Sequence, residues 1–179
     1  MEENFIICKL SQTESNNVEL TNQLTNIINR AFRKTESDMW EKRIKRTNIQ
    51  DVSHYIYDEE MVCVYKKSKP VGCMRLQRVT KEIAEIGMLA VEVEEQGAGL
   101  GKSLIQFGED ELISQGYNIV QIELLKPKMY TDQSRENLQL WYERLGYNQV
   151  GEQALECVLP ELAPGLKVPS KFTILHKNT

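Results

Sequence analysis

The chain has no run of about 18 apolar residues, so nothing in it reads as a membrane-spanning helix and no membrane partner is expected. CxxC spacing is also absent. Cys8, Cys63, Cys73 and Cys157 stand apart, and the only histidines, His54 and His176, are widely separated, so no clustered ligand set exists and no metal is expected. Cys63 and Cys73 lie in apolar, strand-like runs and read as small core residues. A cationic excess is missing too: 22 Lys and Arg against 26 Asp and Glu give a net charge of -4, which argues against nucleic acid as partner. The start Met1-Glu2-Glu3-Asn4 is acidic and lacks the basic region of a targeting peptide, so a cytoplasmic location is expected. No repeat, low-complexity tract or interdomain linker is found. The 179 residues suit one domain, 1–179, with a hydrophobic core of its own. For oligomeric state the commonest assembly, a homodimer, is the expectation.

What is present is hydrophobic patterning that changes period along the chain. Residues 5–10 read as a strand, and Ser15 or Asn16 is placed to cap a helix whose apolar stripe is Leu20, Leu24, Ile27, Ile28 and Ala31. The charged stretch 38–57 predicts one or two short helices, with Lys42-Arg43 and Lys45-Arg46 on a solvated helix face. Residues 61–66 and 71–79 predict an antiparallel pair joined by Lys67-Ser68-Lys69-Pro70, where the proline stops pairing, and 83–93 continues the meander. Leu100, Leu104, Gly108 and Leu112 share one row of a helix running from about Gly99 to Gln115, with Gly116 as a left-handed cap. Glu109 and Glu111 on that helix read as surface charges. Residues 118–125 predict a strand stopped by Pro127; Leu138, Trp141, Tyr142 and Leu145 predict a short helix face ended by Gly146; a last strand falls within 171–176. The connection 151–169, with three prolines, is long enough to suggest a binding role.

The loop Gln96-Gly97-Ala98-Gly99-Leu100-Gly101 stands directly between a strand and a helix. Alternate glycines permit positive φ and close backbone approach, and a helix start offers unpaired N–H groups and a positive dipole end. The loop therefore reads either as a plain tight turn or as a cradle for phosphate. Two nucleotide loops are tested by spacing. Gly97 to Ser103 ends in Gly-Lys-Ser but has three residues between its end glycines where the P-loop has four. The dinucleotide pattern GxGxxG would need glycine at Lys102, and the preceding strands form a meander, not a βαβ unit.

The loop does fit the Gln/Arg-x-x-Gly-x-Gly/Ala pattern of the GNAT N-acetyltransferases, and the whole stretch from Glu85 to Leu112 resembles that superfamily. A second segment, Leu140 to Tyr147, is similar to its Tyr-x-x-x-Gly-Phe/Tyr helix end. Together the resemblance covers about residues 60–150, and more weakly the tail 167–177. It implies an α/β fold with a mixed, mainly antiparallel sheet flanked by helices, and acetyl-CoA as cosubstrate for direct transfer to an amine of a small molecule or peptide. Gln96 would open the pyrophosphate loop, with N–H groups of Gly97, Ala98, Gly99, Leu100, Gly101 and Lys102 as donors and Ser103 beside them. Leu89, Ala90 and Val91 would meet pantetheine and the thioester carbonyl through their main chains. Tyr142 falls on the tyrosine that protonates the departing thiolate. The asparagine often found seven residues before it is Arg135 here, and Asn137 is displaced by two.

Acetylation needs an amine stripped of its proton and a proton returned to sulfur, and lysine-like amines start from a pKa of about 10.4. Tyr142 is the acid candidate, against the simpler reading of a buried aromatic beside Trp141. Glu85 is the base candidate, matching the strand glutamate of the histone acetyltransferase branch; alternation puts Glu85, Gly87, Leu89 and Val91 on one face. Two other readings stand beside the enzyme: a CoA-binding module without catalysis, and a phosphate-loop nucleotide-binding protein. The acceptor pocket of such enzymes is built from variable segments, here about 30–60 and 151–170.

Overall fold

The computed structural model describes residues 5–179, so the acidic start on which the cytoplasmic expectation rests lies outside the described residues. Seven strands form one sheet: β1 (Phe5–Lys9), β2 (Met61–Lys66), β3 (Lys69–Arg78), β4 (Ile83–Val91), β5 (Ile119–Pro127), β6 (Asn148–Ala154) and β7 (Ser170–Asn178). Their order is β1-β2-β3-β4-β5-β7-β6, and every pairing is antiparallel except β4 with β5. The expected mixed, mainly antiparallel sheet flanked by helices is what the chain forms.

Helices α1 (Val18–Glu36) and α2 (Ile49–Tyr57) cover one face, and α3 (Leu100–Ser114) the other, joined by α4 (Gln133–Arg144). Helix α1 buries Leu20, Leu24, Ile27 and Ile28 against Cys63 and Cys73, which are core residues as their setting suggested. Its cap is Asn17, whose side chain accepts from the Leu20 N–H; Ser15 and Asn16 belong instead to a preceding 3-10 turn. Helix α3 packs so close that a Cβ on Gly108 would stand 2.8 Å from Met74 and 3.0 Å from Ile86, which explains a glycine inside its apolar row.

Several elements differ from the sequence expectation. Pro70 does not stop the hairpin: the turn is Lys67-Ser68, both with positive φ, and Lys69 and Pro70 pair with Lys66 and Tyr65. Only 49–57 of the charged stretch is helical. The preceding residues are held by tertiary contacts, including a Trp40–Leu166 bridge and the bond from Lys167 N–H to the Met39 carbonyl. The region 151–169 is not one loop either, since β6 reaches Ala154 and a helical turn, α5 (Leu155–Val158), follows.

Glu109 corrects another reading, being 4% exposed and not a surface charge. Tyr147 donates its hydroxyl to Oε1 at 2.8 Å and Lys177 its ammonium to Oε2 at 2.7 Å, tying α3 to β7 and the end of α4. Removing this carboxylate by Glu109→Ala strands a buried hydroxyl and a partly buried ammonium. We expect a loss of about 2–3 kcal/mol in urea unfolding, and a smaller one for Glu109→Gln, which still accepts from Tyr147.

Candidate active site

Strands β4 and β5 begin as a parallel pair, with Ile83, Ala84 and Glu85 opposite Ile119, Val120 and Gln121. Beyond Glu85 no ladder joins them, although both strands continue. They part around a cleft of about 1450 Å³. On its other edge β4 carries a bulge, because Arg75 pairs with Gly87 while Cys73, two residues earlier, pairs with Ala90, three residues later. Met88, at φ 51, absorbs the extra residue. The bulge reverses the alternation expected for β4: Leu89 and Val91 pack with Ile86 on the α3 face, whereas Met88 and Ala90 pack on the α1 face. Glu85 and Gly87 therefore do not share a face with Leu89 and Val91.

Strand β4 leads into the glycine loop. Gly97 (φ 89) and Gly99 (φ 79) both take left-handed conformations, and Gly99 is the residue before α3. Among the described residues no acceptor meets the N–H groups of Gly97 to Lys102, and the first turn of α3 carries no acidic side chain. Six consecutive donors at a positive helix end suit an anionic diphosphate. The Gln96 side chain braces the loop, with Nε2 3.4 Å from the Val91 carbonyl and Oε1 3.4 Å from Lys34 Nζ. Lys102 and Ser103 are exposed, and the Ser103 hydroxyl donates to the Gly99 carbonyl at 3.3 Å.

The cleft is lined by Glu85, Leu89, Ala90, Val91, Gln96 and Tyr142. The rest of the loop, Gly97 to Ser103, follows Gln96 outside that lining. Tyr142 is 6% exposed, its ring centroid 4.9 Å from that of Trp141. Burial pushes its hydroxyl up to about 12, and the nearby Arg135 charge pulls the other way. Arg135 lines the same cleft from α4, while Asn137 is exposed and bonded to Gln133.

Residues 55–149, more than half of the chain, match the family model described as the acetyltransferase (GNAT) domain. The chain belongs to the GNAT acetyltransferase family. As a member it is an N-acetyltransferase, with acetyl-CoA as its cosubstrate. No curated protein matches it in sequence. Among solved structures, an aminoglycoside 6'-N-acetyltransferase complexed with coenzyme A is similar at 20% identity and TM-score 0.69, covering 97% of this chain and 96% of that one. The ribosomal-protein-S18-alanine N-acetyltransferase from Escherichia coli is similar at 16% identity and TM-score 0.61, covering 98% and 94%. An N-acetyltransferase from Staphylococcus aureus Mu50 is similar at 12% identity and TM-score 0.68, covering 98% of each. At these identities they show the fold alone.

The floor of this acetyltransferase's cleft holds a carboxylate pair of which only Glu85 was legible in sequence. Gln121, between them on β5, donates its amide to Glu123 at 3.1 Å and to Glu85 at 3.4 Å, and His176 Nε2 lies 2.9 Å from its oxygen. A glutamine whose amide hydrogens serve both acids must accept from His176, so Nε2 carries the imidazole proton. Burial lowers the His176 pKa by disfavouring the charged ring. Burial raises Glu85 as well, against the Gln121 bond and the charges of Arg75 and Arg46. Glu123 is pushed up to about 7, by burial first and by the Glu85 charge second. Neither acid forms an ion pair among the described residues.

The wall of the GNAT cleft contains Arg46, which the sequence placed on a solvated helix face and which shares Glu36 with Arg135 of α4. No helix forms there, and the side chain turns inward to 16% exposure. Its guanidinium lies 4.7 Å over the Phe32 ring and 5.9 Å from that of Phe172. Glu36, 3% exposed, stands 3.8 Å from Arg46 and 3.7 Å from Arg135, and accepts from Trp40 Nε1 at 2.9 Å. Both variable segments named from the sequence contribute lining residues: Phe32, Arg46 and Thr47 from one, Gly151 and Leu159 to Leu162 from the other.

Proposed function

We propose that residues 1–179 act as one catalytic unit that transfers an acetyl group from acetyl-CoA directly to an amine bound in the cleft between β4 and β5. One observation carries the reading: β4, bulged and without a β5 partner beyond Glu85, leads through a 3-10 turn at Val93–Glu95 into six acceptor-free N–H groups, and Tyr142, Glu85 and Glu123 line the same cleft. Four free thiols support a reducing, cytosolic setting.

Acetyl-CoA supplies the activated acyl group. The N–H groups of Gly97, Ala98, Gly99, Leu100, Gly101 and Lys102 hold its diphosphate, with Gln96 fixing the loop and Ser103 completing the turn. Leu89, Ala90 and Val91 offer main-chain groups freed by the missing β4–β5 ladder, to pair with the pantetheine arm and polarise the carbonyl. Glu85 and Glu123 remove the proton from the acceptor ammonium. Glu123 titrates close to working pH, where a general base is most effective. Tyr142 stays protonated at neutral pH and donates to the sulfur as the carbon–sulfur bond breaks.

Calorimetric titration with acetyl-CoA, alongside ATP with magnesium, tests the cosubstrate assignment. Acetyl-CoA should bind and ATP should not. Gly99→Glu puts a carboxylate and a side chain where φ is positive at the positive end of α3, and should weaken acetyl-CoA binding at least tenfold, with helical content kept. Preference for ATP, or binding unchanged in the variant, would sink the loop's role. Binding without turnover of any amine would favour a CoA-binding module instead.

A further inference from the structure

We propose that the acceptor carries an oxyanion beside its amine, the amine meeting Glu85 and Glu123 and the oxyanion, a carboxylate or phosphate, meeting Arg46 at the Thr47 side of the cleft. The inference rests on the acetyl-transfer reading above and adds the class of acceptor.

The first support is a concentration of unmet polar groups. Four buried side-chain atoms lack a hydrogen-bond partner among the described residues, and three of them, Arg46 Nη1, Thr47 Oγ1 and Arg135 Nε, belong to residues that line this cleft. Thr47 and Arg135 are each 4% exposed. Arg46 makes no hydrogen bond at all among the described residues; its only ionic contact is Glu36, at 3.8 Å. Arg75, the other arginine beside the acids, is already committed: it is bound to Glu60 at 2.7 and 2.6 Å and stacked 3.7 Å over Tyr55.

Charge is the second support. Arg46, Glu36 and Arg135 sum to one positive charge in a mostly buried cluster, while the floor holds two acids that form no ion pair among the described residues. Neither the wall's excess charge nor the floor's acids are met by a direct ion pair, and a ligand with separate cationic and anionic ends answers both. Arg46, Glu85 and Glu123 line the same cleft, and the Arg46 charge is felt by both acids, so one ligand in that cleft can meet both ends. The flat guanidinium on its Phe32 shelf presents a fork suited to carboxylate or phosphate. A polycation would meet the acids but would set an ammonium against Arg46.

The test measures thiol release from acetyl-CoA with matched acceptors: phenylalanine against phenylalaninamide, β-alanine against 3-aminopropanamide, phosphoethanolamine against ethanolamine, with spermidine and kanamycin as polycations. At least one anionic member should exceed its neutral partner by about 10- to 100-fold in kcat/KM, mostly through KM. The pair that shows the preference tells carboxylate from phosphate. Arg46→Gln should reduce that ratio to within about threefold, with acetyl-CoA binding retained as the check on folding. Thr47→Val, nearly isosteric, should reduce it less and serves if the arginine variant does not fold. Equal or better use of neutral partners or polycations overturns the proposal, as does a ratio unchanged in both variants. Acetyl-CoA binding with no member of the set acetylated overturns it and leaves the cosubstrate in place; absence of acetyl-CoA binding removes both readings.

Discussion

Replacing Tyr142 by Phe should lower kcat about 100-fold or more while acetyl-CoA affinity stays within about twofold. The two rings fill the same volume against Trp141 and Tyr147, so only the hydroxyl is lost. That hydroxyl matters when negative charge develops on sulfur, and a group acting only then changes kcat rather than binding. With its pKa at about 12, Tyr142 is a weak acid against a thiol whose reference value is about 8.5. Burial narrows the gap, because it penalises the thiolate as it does the phenolate, and the Arg135 charge already keeps the Tyr142 hydroxyl from rising further. The wild type should therefore show no alkaline fall in rate from this residue below about pH 10. Steady-state kinetics with a pre-steady-state burst check distinguish the cases. An unchanged kcat, with chemistry shown to limit the rate, removes Tyr142 from the mechanism.

The parts of this protein that were legible in sequence are those governed by local chemistry. Gly99, Gly116 and Gly146 stand where the chain takes positive φ, and the α3 row ending at Leu112 follows from helical period alone. The parts that were not legible depend on neighbours distant in the chain. Met88 has no composition cue for a left-handed conformation; the bulge exists because Cys73 and Arg75 on β3 impose their register. Strand β6 is exposed at five of its seven residues and carries no alternating apolar face to read, and it exists as an edge through pairing with β7. Arg46 and Glu109 look like ordinary surface charges until Phe32 and Glu36, or Tyr147 and Lys177, arrive from other elements. Glu123 alternates with Gln121 and so shares its face, but only the parallel register that sets Gln121 opposite Glu85 shows that the two acids share one glutamine amide. The cosubstrate loop was thus readable from one segment. The acceptor end, assembled from α1, β4, β5, β7 and two irregular stretches, was not.

Glu123→Gln should move activity and stability in opposite directions. The wild-type rate should rise with pH through about 7 as Glu123 loses its proton, and the variant should lack that limb and fall about 100-fold at pH 8. Stability follows from the same shift. A carboxyl whose folded pKa is raised above its unfolded value of about 4.3 binds its proton more tightly in the native state. Below pH 4 both states are protonated and the residue is neutral in effect; between there and pH 7 stability drains away, and above pH 7 the whole penalty is present. Glutamine keeps the shape and a carbonyl acceptor for Gln121 without the buried charge. The variant should therefore melt with the wild type near pH 4 and above it at pH 8.5. Discounted for the partial exposure of Glu123, the gain is about 1 kcal/mol, or about 2–4 °C. Loss of the limb with the stability gain identifies Glu123 as the titrating base. A retained limb would pass the role to Glu85, which is half-buried on the same floor and held by the same glutamine; a variant without the gain would mean that the ionised pair is compensated within the fold, and the floor charge on which the acceptor assignment depends would go with it.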